Sequence, residues 1–530
     1  MLRGVDLSPA RTLPLGALLC LLLVGGPLLT QPGAILASPQ GEVWGHLWVQ
    51  GWHAAALPDW PSGTGLALGA DPWPVIDPLP TAFAAATGRL IGPVAAWNLL
   101  VLGSVLLAFL GGAALAKRAG GEPLVGGLAL GLAPSLMGSL GSGLSEDMGV
   151  GLAALGLSRL GSPRLRDGAL AGLLLGLLAG TGLLLAWATA LVAGLLGLAA
   201  AWEDRRTVKA TALAALIAAA LALPVAWPHA ARLSGLGHRG GSLSAADVEP
   251  LWRLNPWRGV DLLSLVAPLP QEAGEALIRV HPGYLGLTLL GLALLGARGA
   301  RIWALILLLL AAAALGPELR FGGHPLGFGG NALGLDNPVA AIFSLLPGGS
   351  LLNHHGRLLL VGAIALSVLA SRGARVVGER LGRRALLGLS MAAAVDLVLL
   401  APGGAPLPLA DPAPADIVTE LGGLRPGALL VVPAAGPGVH FQRPLFDQRL
   451  HGRRLLLDPR HPGLPPGLAS TPTGRWLGSL AQPRSAPPPT GEVALPGVAV
   501  LVVLEPYVEA VEAVLGEPTV RADDGAAWER

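Results

Sequence analysis

Long apolar runs recur between Leu13 and Leu400, and most approach the length that a helix needs to cross a membrane. A hydrocarbon core about 30 Å thick requires about 20 apolar residues in a helix. By this criterion the sequence predicts about eleven spans, so the chain should be mainly α-helical, a polytopic transmembrane helical bundle. The predicted spans lie near residues 13–30, 92–116, 123–141, 145–160, 168–182, 183–201, 210–227, 283–297, 301–316, 357–371 and 384–401. The run over 168–201 is divided at Gly180-Thr181-Gly182, because it is too long for one helix.

The balance of charged and apolar residues agrees with a membrane protein. Only 13% of the 530 residues are charged and 52% are hydrophobic, whereas a soluble domain carries about 25% charged residues. The net charge of +2 is small and no basic block is interleaved with aromatic residues, so nucleic acid is not an expected partner. Cys20 is the one cysteine, which excludes a disulfide within the chain.

Lysine and arginine residues lie in alternate loops between the predicted spans, and such basic loops are typical of the cytoplasmic side. The N-terminus should therefore be cytoplasmic, and the long loops 31–91, 228–282 and 317–356 should lie on the opposite side. The cations of the basic loops are Lys117, Arg118, Arg159, Arg164, Arg166, Arg205, Arg206, Lys209, Arg298, Arg301, Arg372, Arg375, Arg380, Arg383 and Arg384.

The chain after Ala401 has a different composition, which separates it from the predicted transmembrane domain over 1–401. A Pro-rich linker over 402–415 is followed by strand-like apolar runs at 428–433 and 497–506 and by a helical pattern at 507–516. Strands that alternate with a helix and Pro/Gly turns predict a small α/β domain. This domain, over 416–530, is expected outside the cytoplasmic membrane.

The segment "SPQGEVWGHLWVQGWHAAALPDW" begins at Ser38, directly after the first predicted span. On a helix, Glu42, His46 and His53 share one face. The tryptophans of the segment share a second face: Trp44, Trp48 and Trp52. Two interpretations stay open. The segment is either an aromatic belt with Glu42 and His46 solvated, or a helix that turns its Glu/His face toward the protein.

Two further polar groups are expected on the same side of the membrane. Glu146 and Asp147 lie between apolar runs, either facing a water-filled cavity or in a tight exterior turn. His354, His355 and Arg357 precede the tenth span. Arg357 is a candidate to bind a lipid phosphate, and the alternative is that it extends to the headgroups.

These groups together suggest a type of reaction. A carboxylate that deprotonates a hydroxyl, beside a cation that holds an anionic lipid group, is an arrangement suited to sugar transfer. Glu42 and His46 are the candidate catalytic residues. The cofactor stays unknown: a divalent cation, Mg²⁺ or Mn²⁺, would bridge the acid and the phosphate, but no set of metal ligands has diagnostic spacing.

Near the third long loop, Asp336 and Asn337 before Pro338 predict the start of a short helix.

Several segments resemble bacterial polytopic membrane proteins related to the C-type (GT-C) glycosyltransferases, which use polyprenyl-phosphate sugars. One of them is "GEVWGHLWVQGWHAAALPDWPSGTG" at 41–65. The others lie at 77–108, 132–155, 281–295, 344–373, 430–460 and 515–530. The resemblance implies that the first-loop acid, here Glu42, is the base and that Arg357 binds the lipid phosphate. The first-loop acid is usually Asp in such proteins.

The resemblance also implies partners and a location. The donor would be a polyprenyl-phosphate-linked sugar, the acceptor a lipid, glycan or protein, and the site the bacterial inner membrane, in contact with its lipids.

Two other functions stay open. A transporter or flippase for a lipid-linked substrate is disfavoured because the sequence shows no clear internal repeat and Asp396 is one of few acids within the spans. The alternative interpretation of Asp396 is that its side chain caps a helix. A non-catalytic protein of envelope assembly would use the C-terminal region as its binding module, with Asp447, Gln448 and His451 contacting an acceptor sugar.

Overall fold

The computed structural model describes most of the chain, with gaps in the loops. The described residues are 9–55, 77–238, 259–268, 282–326, 337–346, 354–433, 442–451, 453–456, 464, 466–480, 486–490 and 493–530.

Helices form most of the chain up to Leu399. In chain order they are α1 (Pro9–Gly25), α2 (Val43–Ala55), α3 (Pro78–Ile91), α4 (Pro93–Arg118), α5 (Pro123–Gly131), α6 (Pro134–Gly141), α7 (Val150–Arg159), α8 (Leu165–Ala179), α9 (Leu183–Glu203), α10 (Val208–His238), α11 (Leu287–Ala297), α12 (Arg301–Ala314), α13 (Pro338–Leu345) and α14 (Leu358–Leu399). Short 3₁₀ turns lie between several of them, including Ser145–Asp147 and His355–Arg357.

Six helical segments among the described residues are long and apolar enough to cross a membrane. They are Thr12–Leu29, Pro93–Arg118, Pro123–Gly141, Leu183–Glu203, Arg205–Pro228 and His355–Leu399. The chain is therefore a multi-pass membrane protein, as predicted from its apolar runs.

Each of the eleven predicted runs contains helix, but the predicted number of spans is not confirmed. The run at 145–160 is helical only from Val150, and the 10 residues of α7 extend about 15 Å, half of a hydrocarbon core. The runs at 357–371 and 384–401 lie on two helical segments of α14, which are separated by a kink at Gly382, where φ is 81°. The predicted division at Gly180-Thr181-Gly182 separates α8 from α9, as expected.

The N-terminal part of α14 is the centre of the helical core. Every residue from Leu358 to Ser371 is buried, which is the property of a helix that neighbours surround on all sides. Helices α4, α5, α11 and α12 pack against it. The polar turn that precedes this helix is therefore held at one end of the core.

A short strand fixes the beginning of the first loop. Strand β1 (Ile35–Leu36) pairs antiparallel with β4 (Leu409–Ala410). Asn98 of α4 accepts a hydrogen bond from the Leu36 amide through Oδ1 and donates to the Ala34 carbonyl through Nδ2, each 2.8 Å long. These contacts join the first loop both to the helical core and to the chain that follows the last predicted span.

A second pair of short strands, β2 (Arg320–Phe321) and β3 (His324–Pro325), forms a hairpin in the third long loop. Helix α13 begins at Pro338, as predicted, and Asn337 caps it by accepting hydrogen bonds from the amides of Val339 and Ala340. The neighbouring Asp336 lies outside the described residues.

The chain after residue 416 contains a four-stranded sheet of order β5-β6-β8-β7. Its strands are β5 (Leu429–Val432), β6 (Val500–Leu504), β7 (Val520–Ala522) and β8 (Gly525–Glu529). The helices of this region are α15 (Asp416–Glu420), α16 (Arg443–His451), α17 (Pro466–Ala469), α18 (Pro472–Ser479) and α19 (Val508–Leu515).

Strand β5 is parallel to β6, and β6 is antiparallel to β8. Both β5 and β6 lie in the apolar runs that predicted strands, and α19 lies in the predicted helix. Hydrophobic side chains cover both faces of the sheet, since Val500 and Val502 belong to one cluster and Leu501 and Val503 to another. The domain boundary at 402–415 and the location outside the membrane stay predictions.

Candidate active site

Glu42 is held in place by backbone contacts between the first loop and the turn after α6. The amide of Ser38 donates to the Gly141 carbonyl at 2.6 Å, and the amide of Glu42 donates to the Ser142 carbonyl at 2.8 Å. Gly143 has a φ of 78°, and a Cβ atom there would lie 2.5 Å from the backbone nitrogen of Val43. Only glycine satisfies both conditions, so the sequence brings the two loops together.

His46 lies one helical turn after Glu42 and is buried between two acids. Its Nδ1 atom is 3.4 Å from Oδ2 of Asp77, and its Nε2 atom is 3.5 Å from Oε2 of Glu146. The Ser145 hydroxyl is 2.8 Å from Nδ1 and also donates to Asp77. The imidazole therefore connects the first loop to the turn between α6 and α7.

Asp77 is a site residue that the sequence analysis did not select. It precedes α3 at the position of an N-cap, where an Asp side chain normally accepts from an amide of the first turn. Here Pro78 and Pro80 have no amide hydrogen, and the amide of Leu79 donates to the Gly180 carbonyl at 2.7 Å. The carboxylate is not used as a cap. The pattern "DPLP" was the available signal that Asp77 serves another purpose.

Glu146 and Asp147 lie in the 3₁₀ turn between α6 and α7, with side chains 12% and 2% exposed. The NH2 group of Arg357 donates to Oε1 of Glu146 at 2.9 Å, and its Nε atom is 3.8 Å from Oδ2 of Asp147. Ser139 donates to the same Asp147 oxygen at 2.9 Å. The alternatives of a solvated exterior turn and of an Arg357 extended to the headgroups are therefore wrong, because these charges pair inside the protein.

A cavity of about 170 Å³ opens beside this ion pair. It is lined by Glu146, Asp147, Arg357 and residues 182–185, which include the first residues of α9. The first amide groups of a helix have no partners within the helix, and the helix dipole makes that end positive. Together with the guanidinium, these groups can bind an anion.

The Glu42 carboxylate forms no hydrogen bond or ion pair with the part of the chain that the structure describes. Its side chain retains contact with solvent, although protein atoms surround much of it. Burial raises the pKa of Glu42, and the charge of Glu146 raises it further, whereas His46 and Arg357 oppose the shift. A carboxylate with a raised pKa is a stronger base than an ordinary glutamate.

His46 is held as a cation. Burial opposes its charged form, but the carboxylate of Asp77, with contributions from Glu146 and Glu42, raises the pKa of His46 to about 9. At neutral pH an imidazolium therefore lies among these acids and offsets part of their negative charge.

The interpretation of Trp44 and Trp48 as an aromatic belt with a solvated His46 is wrong, because all three side chains are buried, whereas Glu42 keeps its contact with solvent. Both indoles are buried, and each N–H has a partner inside the protein. Trp44 donates to the Pro39 carbonyl and Trp48 donates to Oε1 of Gln448, both at 2.8 Å. Helix α2 thus faces the acids on one side and the C-terminal region on the other. The side chains of Trp52 and His53 lie outside the described residues.

The remaining candidates have separate positions. His355 is buried and His354 is partly exposed, two and three residues before Arg357, and their role in binding phosphate stays a prediction. Asp396 accepts hydrogen bonds from the Tyr284 hydroxyl and from the Thr288 amide. Asp396 therefore caps α11 at its N-terminal end, as the alternative interpretation held.

The described residues do not fit a divalent cation. Among them, no three His, Cys, Asp or Glu side chains are grouped so that they could hold a metal ion. Oε1 of Glu146 and Oδ2 of Asp147 instead face the guanidinium of Arg357, and Oε2 of Glu146 faces His46. The positive charge at these acids comes from side chains of the protein.

No protein-family model and no curated protein matches the sequence. Solved structures do match. The oligosaccharyltransferase of Archaeoglobus fulgidus, in its apo form, matches with a TM-score of 0.50 and 11% identity over 95% of this chain and 70% of that chain.

Two further matches have lower TM-scores. The arabinofuranosyltransferase AftD from Mycobacteria matches with a TM-score of 0.47 and 21% identity over 94% of this chain. ArnT from Cupriavidus metallidurans matches with a TM-score of 0.43 and 17% identity over 98% of this chain and 97% of that chain. The chain spans about a third, 35%, of the length of AftD.

These proteins are polytopic membrane enzymes of the C-type glycosyltransferase class. At these identities the likeness concerns the fold alone, and at that level it confirms the resemblance predicted from the sequence. The chain is thus a multi-pass membrane protein with the fold of the C-type glycosyltransferases.

Proposed function

We propose that the protein is a membrane glycosyltransferase that transfers a sugar from a polyprenyl-phosphate donor to an acceptor outside the cytoplasm. One observation carries the proposal: the Arg357 guanidinium and the first residues of α9 line one cavity with Glu146, and Glu146 lies 3.5 Å from His46, one helical turn after Glu42. A site for an anion next to a basic carboxylate is what this reaction requires.

The donor phosphate would bind in the cavity beside Arg357. Its NH2 and Nε groups face Glu146 and Asp147, and the residue also lines the cavity, so a phosphate there would lie beside a cation that the two acids hold in place. The amides at the start of α9 would add hydrogen bonds to the phosphate oxygens. His354 and His355 lie three and two residues before Arg357 and would extend this phosphate site.

Glu42 would act as the base. As the acceptor oxygen bonds to the anomeric carbon, the bond from that carbon to the phosphate oxygen breaks, and the acceptor proton passes to Glu42. The leaving polyprenyl phosphate keeps the electron pair, and Arg357 stabilises its negative charge. The His46 imidazolium would hold Glu146 and Asp77 in place and balance their charge near the reacting groups.

The test is a transfer assay on membranes that contain the full chain and a labelled polyprenyl-phosphate sugar. Glu42→Gln should reduce transfer by about 10² to 10⁴-fold, the usual contribution of a general base. Glu379→Gln is the matched control, because Glu379 forms an exposed ion pair on α14 and exposed pairs contribute little. Full activity of Glu42→Gln would refute the assignment of the base.

The transporter and scaffold alternatives predict a different outcome. A flippase would move a fluorescent polyprenyl-phosphate lipid across reconstituted vesicles without forming a product, and a scaffold would do neither. Transport without product, unchanged in Glu42→Gln, would favour the transporter.

A further inference from the structure

A second cavity, of about 310 Å³, lies between the first loop and the C-terminal region. Its volume is at the lower end of the range for small-molecule sites. Pro39 of the first loop lines one side, and α15, α16 and the sheet line the others. None of its lining residues belongs to the cavity beside Arg357, so this is a separate site.

The cavity has an apolar floor and a polar rim. Side chains of β5 and β6 form the floor: Leu429, Val431, Val502 and Leu504. The polar residues of the rim are Asp411, Arg443, Asp447 and His451. A ligand of this cavity must therefore present both an apolar face and hydrogen-bonding groups.

The one arginine of the rim is engaged in holding the structure together. Its Nε atom donates to both carboxylate oxygens of Asp447, at 3.2 and 3.1 Å, and its other nitrogens donate to the carbonyls of Asp411 and Ala413. The guanidinium also stacks over Trp44, 4.1 Å from the ring centroid. With this cation committed and two carboxylates nearby, the rim disfavours an anionic ligand such as a phosphate.

His451 supplies a neutral donor. Its Nδ1 atom accepts a hydrogen bond of 3.1 Å from the Arg453 amide. Burial and the charge of Arg453 lower the pKa of His451 to about 4, so the ring is neutral at pH 7. Since Nδ1 accepts, the proton is on Nε2, which can donate to a ligand.

Asp447 lies one helical turn before His451 on α16, so an acceptor group and a donor group are adjacent on the rim. A carbohydrate has matching chemistry, because neighbouring hydroxyls donate and accept while the C–H face of the ring is apolar. Neither an aliphatic chain nor a phosphate uses all of these groups.

The cavity also reaches the loop that carries Glu42. Pro39, three residues before Glu42, lines the cavity, and its carbonyl accepts the Trp44 indole hydrogen bond. We propose that this cavity binds the end of an uncharged acceptor glycan, with Asp447 and His451 holding its hydroxyls, and this inference rests on the proposed transfer reaction. The acceptor would then lie on the Glu42 side and the donor phosphate on the Arg357 side.

Two substitutions of His451 separate binding from structure. In His451→Asn the side-chain oxygen can replace Nδ1 and keep the contact with the Arg453 amide, but nothing replaces Nε2. In His451→Gln the amide reaches the Nε2 position. We therefore expect glycan binding to be weakened in the first variant and retained in the second.

The binding test uses the full chain in lipid nanodiscs and saturation-transfer NMR. The probes are methyl α-D-mannopyranoside, methyl β-D-galactopyranoside and methyl β-D-glucopyranoside, with hexanol and inorganic phosphate as the apolar and anionic comparisons. At least one glycoside should bind, about fivefold more weakly in His451→Asn, the change expected for one hydrogen bond. Binding of none of the glycosides, equal binding to His451→Asn, or preferential binding of hexanol or phosphate would overturn the proposal.

Activity provides an independent measurement. In the transfer assay, His451→Asn should raise the KM for the acceptor and leave kcat and the KM for the donor near the wild-type values. Glu42→Gln should bind the glycosides as the wild type does while losing transfer. If the wild type binds a glycoside in this cavity but shows no transfer, the proposed function fails and the saccharide site remains. If transfer occurs without glycoside binding, the saccharide site fails alone.

Discussion

The guanidinium of Arg357 donates a hydrogen bond of 2.9 Å to Glu146, a residue 211 positions earlier in the chain. Their side chains are 15% and 12% exposed, so this is a largely buried ion pair. The pair connects the start of α14 to the turn between α6 and α7, beside the cavity that we assign to the donor phosphate.

Removal of the Arg357 charge should therefore affect both stability and transfer. Arg357→Met leaves Glu146 and Asp147 without this cation, and breaking a buried pair costs about 3–5 kcal/mol. Arg357→Lys keeps the charge but cannot contact both acids and a phosphate, so it should fold and bind donor weakly. Thermal unfolding and the KM for the donor measure the two effects. Wild-type stability and an unchanged donor KM in Arg357→Met would contradict the role of the Arg357 charge in folding and donor binding.

Asp77 should set the pH range over which His46 stays charged. The folded pKa of His46, about 9, lies above its ordinary value of 6.5. The ion pairs of His46 thus stabilise the fold fully below about pH 6.5, and this contribution is lost as the pH rises through about 9.

Asp77→Asn removes the largest favourable contribution to the His46 cation, so stability and transfer should decline at a lower pH than in the wild type. Unfolding temperatures and transfer rates between about pH 6 and pH 10 measure the shift. Asp167→Asn, which removes a more exposed ion pair with Arg159, is the control. Identical alkaline profiles for Asp77→Asn and the wild type would show that Asp77 does not hold the proton on His46.

Gly182 allows the start of α9 to approach the acids closely. A Cβ atom at this position would lie 2.2 Å from the backbone oxygen of Glu146, and such overpacking costs about 1–3 kcal/mol. Gly182→Ala should displace α9 from the cavity and reduce transfer. Within α9, a Cβ at Gly194 meets no described atom within 4 Å, so Gly194→Ala should be neutral or slightly stabilising. Equal transfer by the two variants would argue against a role for the start of α9.

The contact between α2 and the C-terminal region depends on the indole of Trp48. Trp48→Phe removes the hydrogen bond to Gln448 and should lower the free energy of unfolding by about 1 kcal/mol. Hydrogen exchange in α16 should increase. Trp202→Phe is the control, since Trp202 is 92% exposed on α9. Unchanged exchange in α16 would show that this contact does not hold the C-terminal region on α2.

The helical part of the fold could be predicted because apolar length is a local property. Each predicted span contains helix, and the glycines at 180 and 182 marked a real helix boundary. The number of helices that are long enough to cross a membrane could not be predicted in the same way. Val150 begins a helix of only 10 residues, because the preceding acids fold into a turn that faces Arg357.

The candidate site was predictable only in part. Charges stand out in an apolar sequence, so Glu42, Glu146 and Arg357 were selected, and the structure places them near one another. Asp77 was not selected, because its role depends on its proximity to His46. That proximity arises only when α2 packs against α3. The burial of Trp48 was also missed, since its partner Gln448 lies 400 positions away in a region of different composition.

The pairing of β1 with β4 determines when the site is completed during biosynthesis. Ribosomes make the first loop early, but Leu36 obtains its strand partner only from Leu409, which is translated after every predicted span. A nascent chain that stops within α14 would hold Glu42 on a loop with an unpaired edge. Assembly of the candidate site would thus follow insertion of the last helix, and a truncated protein would be left with this site incomplete.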